Sequence, residues 1–191
     1  MPDGSDIRKQ LEASARVKMR LAGSSVNSIG EAADLLIQTL KSDGKVLICG
    51  NGGSAADSQH FAAELAGRFL INRSALPAVA LTTDTSILTA VGNDFGFDVV
   101  FQRQVEALGQ KGDLLFCIST SGRSRNVLLA AEKAREMDLS VIALVGQEPG
   151  PIGQAADIVI TIPSRDTPRI QEAHITVIHI LCDLVERALF S

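Results

Sequence analysis

His60 and Glu64 stand one helical turn apart, shortly after the run Gly50-Asn51-Gly52-Gly53-Ser54. With 3.6 residues per turn, positions i and i+4 project from the same helical face, so the imidazole and the carboxylate can address one site. The glycine-rich run in front of them offers free backbone N–H groups at a helix N-terminus, where the dipole favours an anion. An acid-base pair behind such a loop suits proton transfer on a small phosphorylated molecule. A second loop, Ser119-Thr120-Ser121-Gly122-Arg123-Ser124, gathers hydroxyls and backbone donors at another helix N-terminus and is the better phosphate site, needing no buried cation. Each loop also has a plainer reading as a strand-to-helix turn, with a serine such as Ser54 as the cap.

Two phosphate motifs are set aside. Gly50-x-Gly52-x-x-Ala55 formally matches the dinucleotide pattern, but that pattern wants an acidic residue about 20 positions on, and the nearest candidate, Asp84, is too far. No Lys follows the glycines, so there is no Walker loop. Asp57, one turn before His60, reads as an early-helix acid favoured by the dipole in preference to an orienting partner of His60.

The elements that must carry these residues are legible from periodicity. Apolar residues recur with helical spacing through Ile7, Leu11, Ala15 and Leu21, then through Ile29, Ala33, Leu36, Ile37 and Leu40, until Asp43-Gly44 ends the pattern. Short continuous apolar runs follow at 46–49, 78–81, 114–118, 141–145 and 158–160, most of them separated by helical stretches at 55–69, 85–108 and 126–137. Buried parallel strands have this signature, and the chain predicts an α/β fold: an open, doubly wound, five-stranded parallel sheet, flavodoxin-like, with N-terminal helices and a long C-terminal helix. In such sheets ligands bind beyond the carboxyl ends of the strands, where both loops lie.

The 191 residues fit a single domain over 1–191, with a helical pair at 1–43 and the sheet core and closing helix at 44–191. A net charge of −4 without a Lys/Arg-rich block leaves no electrostatic footprint for nucleic acid or an anionic membrane. The start of the chain lacks a basic, then apolar leader, and no run of about 18 apolar residues could span a bilayer, so a cytoplasmic protein is expected. Cys49, Cys117 and Cys182 lie far apart in apolar surroundings and read as reduced core thiols. The closing segment is apolar on nearly every side from Ile175 to Val185, which a single surface helix would not need; burial against another subunit is expected.

At this level of detail the chain resembles a known family. Residues 50–65, the run Gly92-Asn93-Asp94-Phe95, the run Ile118-Ser119-Thr120-Ser121-Gly122, and Arg169-Ile170-Gln171-Glu172-Ala173-His174 with His179 beyond, closely resemble the phosphoheptose isomerases, in order and over nearly the whole length. The resemblance implies the sugar-isomerase (SIS) fold and conversion of sedoheptulose 7-phosphate into glycero-manno-heptose 7-phosphate, the first step toward the heptose of bacterial lipopolysaccharide and related glycans. It implies a homotetramer with active sites shared at subunit interfaces.

Residue by residue, the resemblance implies substrate contacts from Asn51, Gly52, Gly53, Ser54, Glu64, Asn93, Asp94, Ser119, Thr120, Ser121, Ser124 and Gln171. It implies Glu64 and His179 as catalytic residues, and a zinc set of His60, Glu64, Gln171 and His179. Non-catalytic regulators with the same fold lack the Glu and the last His; both are present here. A sugar-phosphate-binding module without turnover, and an isomerase of another sugar phosphate, are the competing readings. Pro168 occupies a position where some family enzymes have a functional Asp, and Asp166 lies two residues earlier.

The reaction moves a carbonyl between neighbouring carbons through an enediol, so a general base and a general acid on its two sides are required. Gln171 and His179 are eight residues apart, about 12 Å along a helix. That spacing is read as too long for one ion from the same chain: either the helix starts late or two subunits share each site, and sharing is favoured. His174 lies about 140° around the helix from His179. It is expected to be a core or interface histidine.

Overall fold

The computed structural model describes residues 4–190. Two helices lead, α1 (Gly4–Ser24) and α2 (Val26–Lys41), followed by β1 (Val46–Gly50), α3 (Gly53–Ala66), β2 (Ala78–Ala80) and α4 (Thr85–Phe95). After a short 3-10 turn (Phe97–Val99) come α5 (Val100–Leu108), β3 (Leu114–Ser119), α6 (Arg125–Glu136), β4 (Ser140–Val145), α7 (Gly150–Gln154), β5 (Ile158–Thr161) and α8 (Thr167–Phe190). The sheet has the order β2-β1-β3-β4-β5, and every pairing is parallel.

Alternation along the strands explains why they read as unbroken apolar runs. Ile48, Phe116, Ile118 and Leu144 face one hydrophobic core, while Leu47, Cys49, Leu115, Cys117 and Val145 face a second. Both faces are therefore covered, as a parallel sheet requires. The first core is closed by α1, α2, α3 and α8, the second by α5, α6 and α7. Cys49 and Cys117 are register partners on neighbouring strands, and all three cysteines are free and buried.

This winding fixes the place of the site. From β1 the chain passes into α3 on one face, and from the adjacent β3 it passes into α6 on the other. The carboxyl ends of β1 and β3 are thus the point where the winding reverses and a crevice opens.

Two expectations need correction, and one element was not foreseen. The single helical stretch at 85–108 is broken, because Gly96 takes φ +91° and a 3-10 turn separates α4 from α5. α7, only five residues long, is too short to show a period. The apolar perimeter of α8 is largely covered within the chain, since it lies between the sheet and α1, α2 and α3. What remains open is Ile180, 40% exposed, in an apolar groove with Leu21, Val26, Ile29 and Leu184. Among the described residues no helix is long and apolar enough to cross a membrane.

Candidate active site

The turn from β1 into α3 is built by glycine. Gly52 takes φ +56° as the residue before the helix, and a Cβ on Gly53 would collide with the side-chain amide of Gln171. Ser54, the cap in the plainer reading of this loop, lies instead inside the first turn and is buried, with its carbonyl accepting the Ser58 hydroxyl at 2.8 Å. Helix α3 therefore begins two residues earlier than its apolar pattern suggests.

The two loops are joined by a pair of amides. Asn51 Nδ2 donates to Asn126 Oδ1 at 2.8 Å, and Asn126 Nδ2 donates back to Asn51 Oδ1 at 2.9 Å. Asn126 Oδ1 also accepts the N–H of Val127. Buried in the first turn of α6, Asn126 thus locks the Gly-rich loop to the Ser-rich loop. Nothing in its spacing singles it out, because an Asn near a helix start is commonplace. In the second loop Ser119 Oγ lies 3.2 Å from Ser124 Oγ and 3.5 Å from Ser121 Oγ, and Ser121 Oγ accepts the N–H of Arg123 at 3.2 Å. Thr120 and Ser121 open onto a polar cavity of about 210 Å³ shared with Arg123 and Arg165.

Along α3 from this turn, the titratable groups form a row. His60 Nε2 lies 3.3 Å from Glu64 Oε1 and 3.0 Å from His179 Nε2. The His60 and His179 rings are tilted at 58° with centroids 5.2 Å apart, and the Phe69 ring lies against the His179 imidazole at 5.5 Å. Glu64 and His179 are brought together by α3 and α8 of one chain, so assembly is not needed to unite them. His60 Nε2 is within reach of both. His60 is 44% exposed, and the row therefore lies open at the surface of a single chain.

Asp57 is not a solvated early-helix acid. It is half-buried, burial pushes its carboxyl up to about 6 while His60 pulls it back, and its Oδ2 has no hydrogen-bond partner. His174 is fully buried in the core, as expected, with neither ring nitrogen in a hydrogen bond of good geometry. Burial lowers its pKa to about 4, with the nearby Val145 carbonyl only partly opposing.

Other candidates stand apart. Gln171 packs against Gly53 in this chain, a position removed from the imidazole pair by about 10 Å of α3. Asn93 and Asp94 are exposed at the end of α4 and hydrogen-bond to each other at 2.8 Å; among the described residues no hydrogen bond or ion pair ties them to either loop. Asp166 precedes α8, exposed, with its carboxylate 4.0 Å from Arg169 Nε, while Pro168 sits in the first helical turn, where its missing N–H is harmless.

Among the described residues no group of three or more His, Cys, Asp or Glu side chains is placed so that it could hold a metal ion. The row still fits zinc in kind: two imidazole nitrogens and a carboxylate are its usual donors. Ligands of a tetrahedral ion at about 2.0–2.1 Å lie about 3.3 Å from one another, close to the His60–His179 and His60–Glu64 spacings.

An open doubly wound sheet with paired anion loops at its reversal point and an acid-base row beside them is the arrangement of a SIS domain, and the SIS domain family pattern matches residues 11–146. The chain is 56% identical to the phosphoheptose isomerase of Geobacter sulfurreducens, over 97% of this chain and 98% of the other. Its structure is similar to that of the phosphoheptose isomerase of Neisseria gonorrhoeae, at TM-score 0.91 and 48% identity, covering 96% of this chain and 98% of that one. A phosphoheptose isomerase structure from Francisella tularensis gives TM-score 0.94 at 39% identity, covering 98% and 100%. The chain belongs to the phosphoheptose isomerase family.

Proposed function

We propose that this protein converts sedoheptulose 7-phosphate into D-glycero-D-manno-heptose 7-phosphate, an aldose-ketose isomerisation through an enediol, at the start of heptose supply for lipopolysaccharide or a related glycan. The observation that carries the reading is the row Glu64, His60 and His179, set along α3 from the joined loops. The Ser119–Ser124 loop receives the phosphate, with Asn51, Gly52, Gly53, Ser54 and Gln171 along the sugar. About 10 Å of α3 separates Gly53 from His60, a span that suits a seven-carbon chain with phosphate at one end and carbonyl at the other.

Glu64 removes the proton from C1 of the ketose while the C2 oxygen gains one, giving the enediol. The C1 hydroxyl then releases its proton and C2 receives one, giving the aldose. His179 serves the oxygen protons, and His60 holds Glu64 and His179 in line. General acid-base catalysis of this kind contributes roughly 10²- to 10⁴-fold per group. His60, Glu64 and His179 would hold a zinc ion, completed by Gln171 or by another ligand, and the ion would supply Lewis-acid stabilisation of the enediolate oxygen.

Two features support a homotetramer that completes the site: the exposure of His60, which leaves the acid-base row open to water, and the apolar groove around Ile180. Asn93 and Asp94 would then come from a neighbouring copy. A cytoplasmic location accords with a sugar-phosphate substrate. Incubation with sedoheptulose 7-phosphate, with aldose formation followed by NMR, tests the reading; a protein that binds the ketose without forming aldose would instead be a regulatory module.

A further inference from the structure

Glu186 is a buried carboxylate on α8, seven residues after His179, with 1% of its side chain exposed. Seven residues are about 10 Å of helix and return nearly to the same face. Its Oε1 accepts the N–H of Phe69 at 2.7 Å, and its Oε2 accepts those of Leu70 at 2.8 Å and Ile71 at 2.9 Å. The equally buried Arg73 donates through Nε to Oε1 at 3.0 Å. Burial would raise the carboxyl, but the three N–H donors and Arg73 hold it below the usual carboxylate range. Glu186 is therefore an anion.

Arg73 reaches back as well. Its Nη2 donates to the carbonyl of Glu64 at 2.9 Å and its Nη1 to that of Leu65 at 2.7 Å. These carbonyls belong to the last turn of α3, which lacks intrahelical partners and carries the negative end of the dipole, so a buried cation there is well matched. One ion pair thus ties together the end of α3 that bears Glu64, the segment 69–71, and the helix that bears His179. The segment it pins places the Phe69 ring against the His179 imidazole, at 5.5 Å and 31°.

Desolvating two charges is costly, and an apolar pair could fasten a loop to a helix without that cost. What an apolar pair could not do is accept three successive N–H groups and cap two carbonyls, fixing the segment's orientation as well as its position. We propose that Glu186, Arg73 and Phe69 are positioning residues for the acid-base pair: the ion pair sets segment 69–71 so that the Phe69 ring holds the His179 imidazole with Nε2 turned toward His60. The inference rests on His179 taking part in the reaction.

The experiment compares Phe69→Leu, Phe69→Tyr and His179→Gln with the intact enzyme, reading kcat and KM for sedoheptulose 7-phosphate and the imidazole resonances of ¹⁵N-histidine-labelled protein. Phe69→Leu is expected to lower kcat roughly 10- to 100-fold, as misplacement of a reacting group does, with KM within about threefold and the His179 resonances shifted. Phe69→Tyr restores both. Glu186→Gln gives the same two changes, and should it not fold, Phe69→Leu decides. Wild-type kcat, or unshifted His179 resonances, in folded Phe69→Leu overturns the positioning role. Full turnover by His179→Gln overturns the reading of the site itself, a separate failure visible in a separate variant.

Discussion

His60 Nε2 and His179 Nε2 lie 3.0 Å apart, a separation at which one hydrogen is shared, so only one of the two rings carries its proton on Nε2. The neighbouring Glu64 oxygen, 3.3 Å from His60, makes this a continuous row across which protons and a cation compete for the same lone pairs.

That competition gives a metal prediction. The protein as purified is expected to bind about one zinc ion per chain, a stoichiometry readable by elemental analysis. Removal by a chelator should lower turnover, and zinc should restore it. His60→Gln should weaken zinc binding by at least about tenfold, through loss of a nitrogen donor. Undiminished turnover after exhaustive chelation would take the ion out of the mechanism.

The amide pair between the loops should control substrate affinity. Asn126→Ala leaves Asn51 without its partner and frees the Gly-rich loop from the Ser-rich one. Stability is expected to fall by about 1–3 kcal/mol, as for a half-broken hydrogen-bonded pair, and KM to rise at least about tenfold with a smaller effect on kcat. Denaturant melts and steady-state kinetics on the one variant check both.

Asp57 makes the fold less favourable as it ionises. Its carboxyl titrates at about 6 in the fold against an ordinary 3.8, so the fold binds this proton more tightly than the unfolded chain. The cost is absent below 3.8 and complete above about 6. Asp57→Asn should therefore stabilise the protein at pH 7–8, by about 1 kcal/mol once solvent screening at this half-buried site is allowed for, and the gain should fade as pH falls through 6. Melting curves of the two proteins that stay parallel from pH 4 to pH 8 would contradict it.

His174 acts with the opposite sign. Held neutral by burial, it titrates at about 4 in the fold against 6.5 ordinarily, so the unfolded chain binds the proton first and stability is lost as pH falls from 6.5 toward 4. The loss amounts to roughly 3 kcal/mol at most. His174→Leu removes the titrating group and should show a shallower decline over that window in urea melts at pH 7, 5 and 4.

How much of this was legible in the sequence depends on whether position along an element or contact between elements decides. Strand runs such as 114–118 and the i, i+4 spacing of His60 and Glu64 are local, and periodicity located them. The burial of α8 was read as a sign of a partner subunit because a lone sequence cannot show that α1, α2 and α3 all meet that helix. The meeting of His60 with His179, the Asn51–Asn126 clasp, and Glu186 gathering three N–H groups are long-range pairings. No spacing rule contains them. The burial of Asp57 is hidden for the same reason, since it is a property of its neighbours and not of its place in the helix.

The account turns on Glu64 carrying the proton between carbons. Glu64→Gln keeps the shape of the side chain and its place beside His60 while removing the base. Turnover of sedoheptulose 7-phosphate by this variant, measured beside equilibrium binding of the same sugar phosphate, is expected to fall at least about 100-fold with affinity within a few-fold of wild type. A Glu64→Gln enzyme that turns over within about tenfold of wild type would contradict the account.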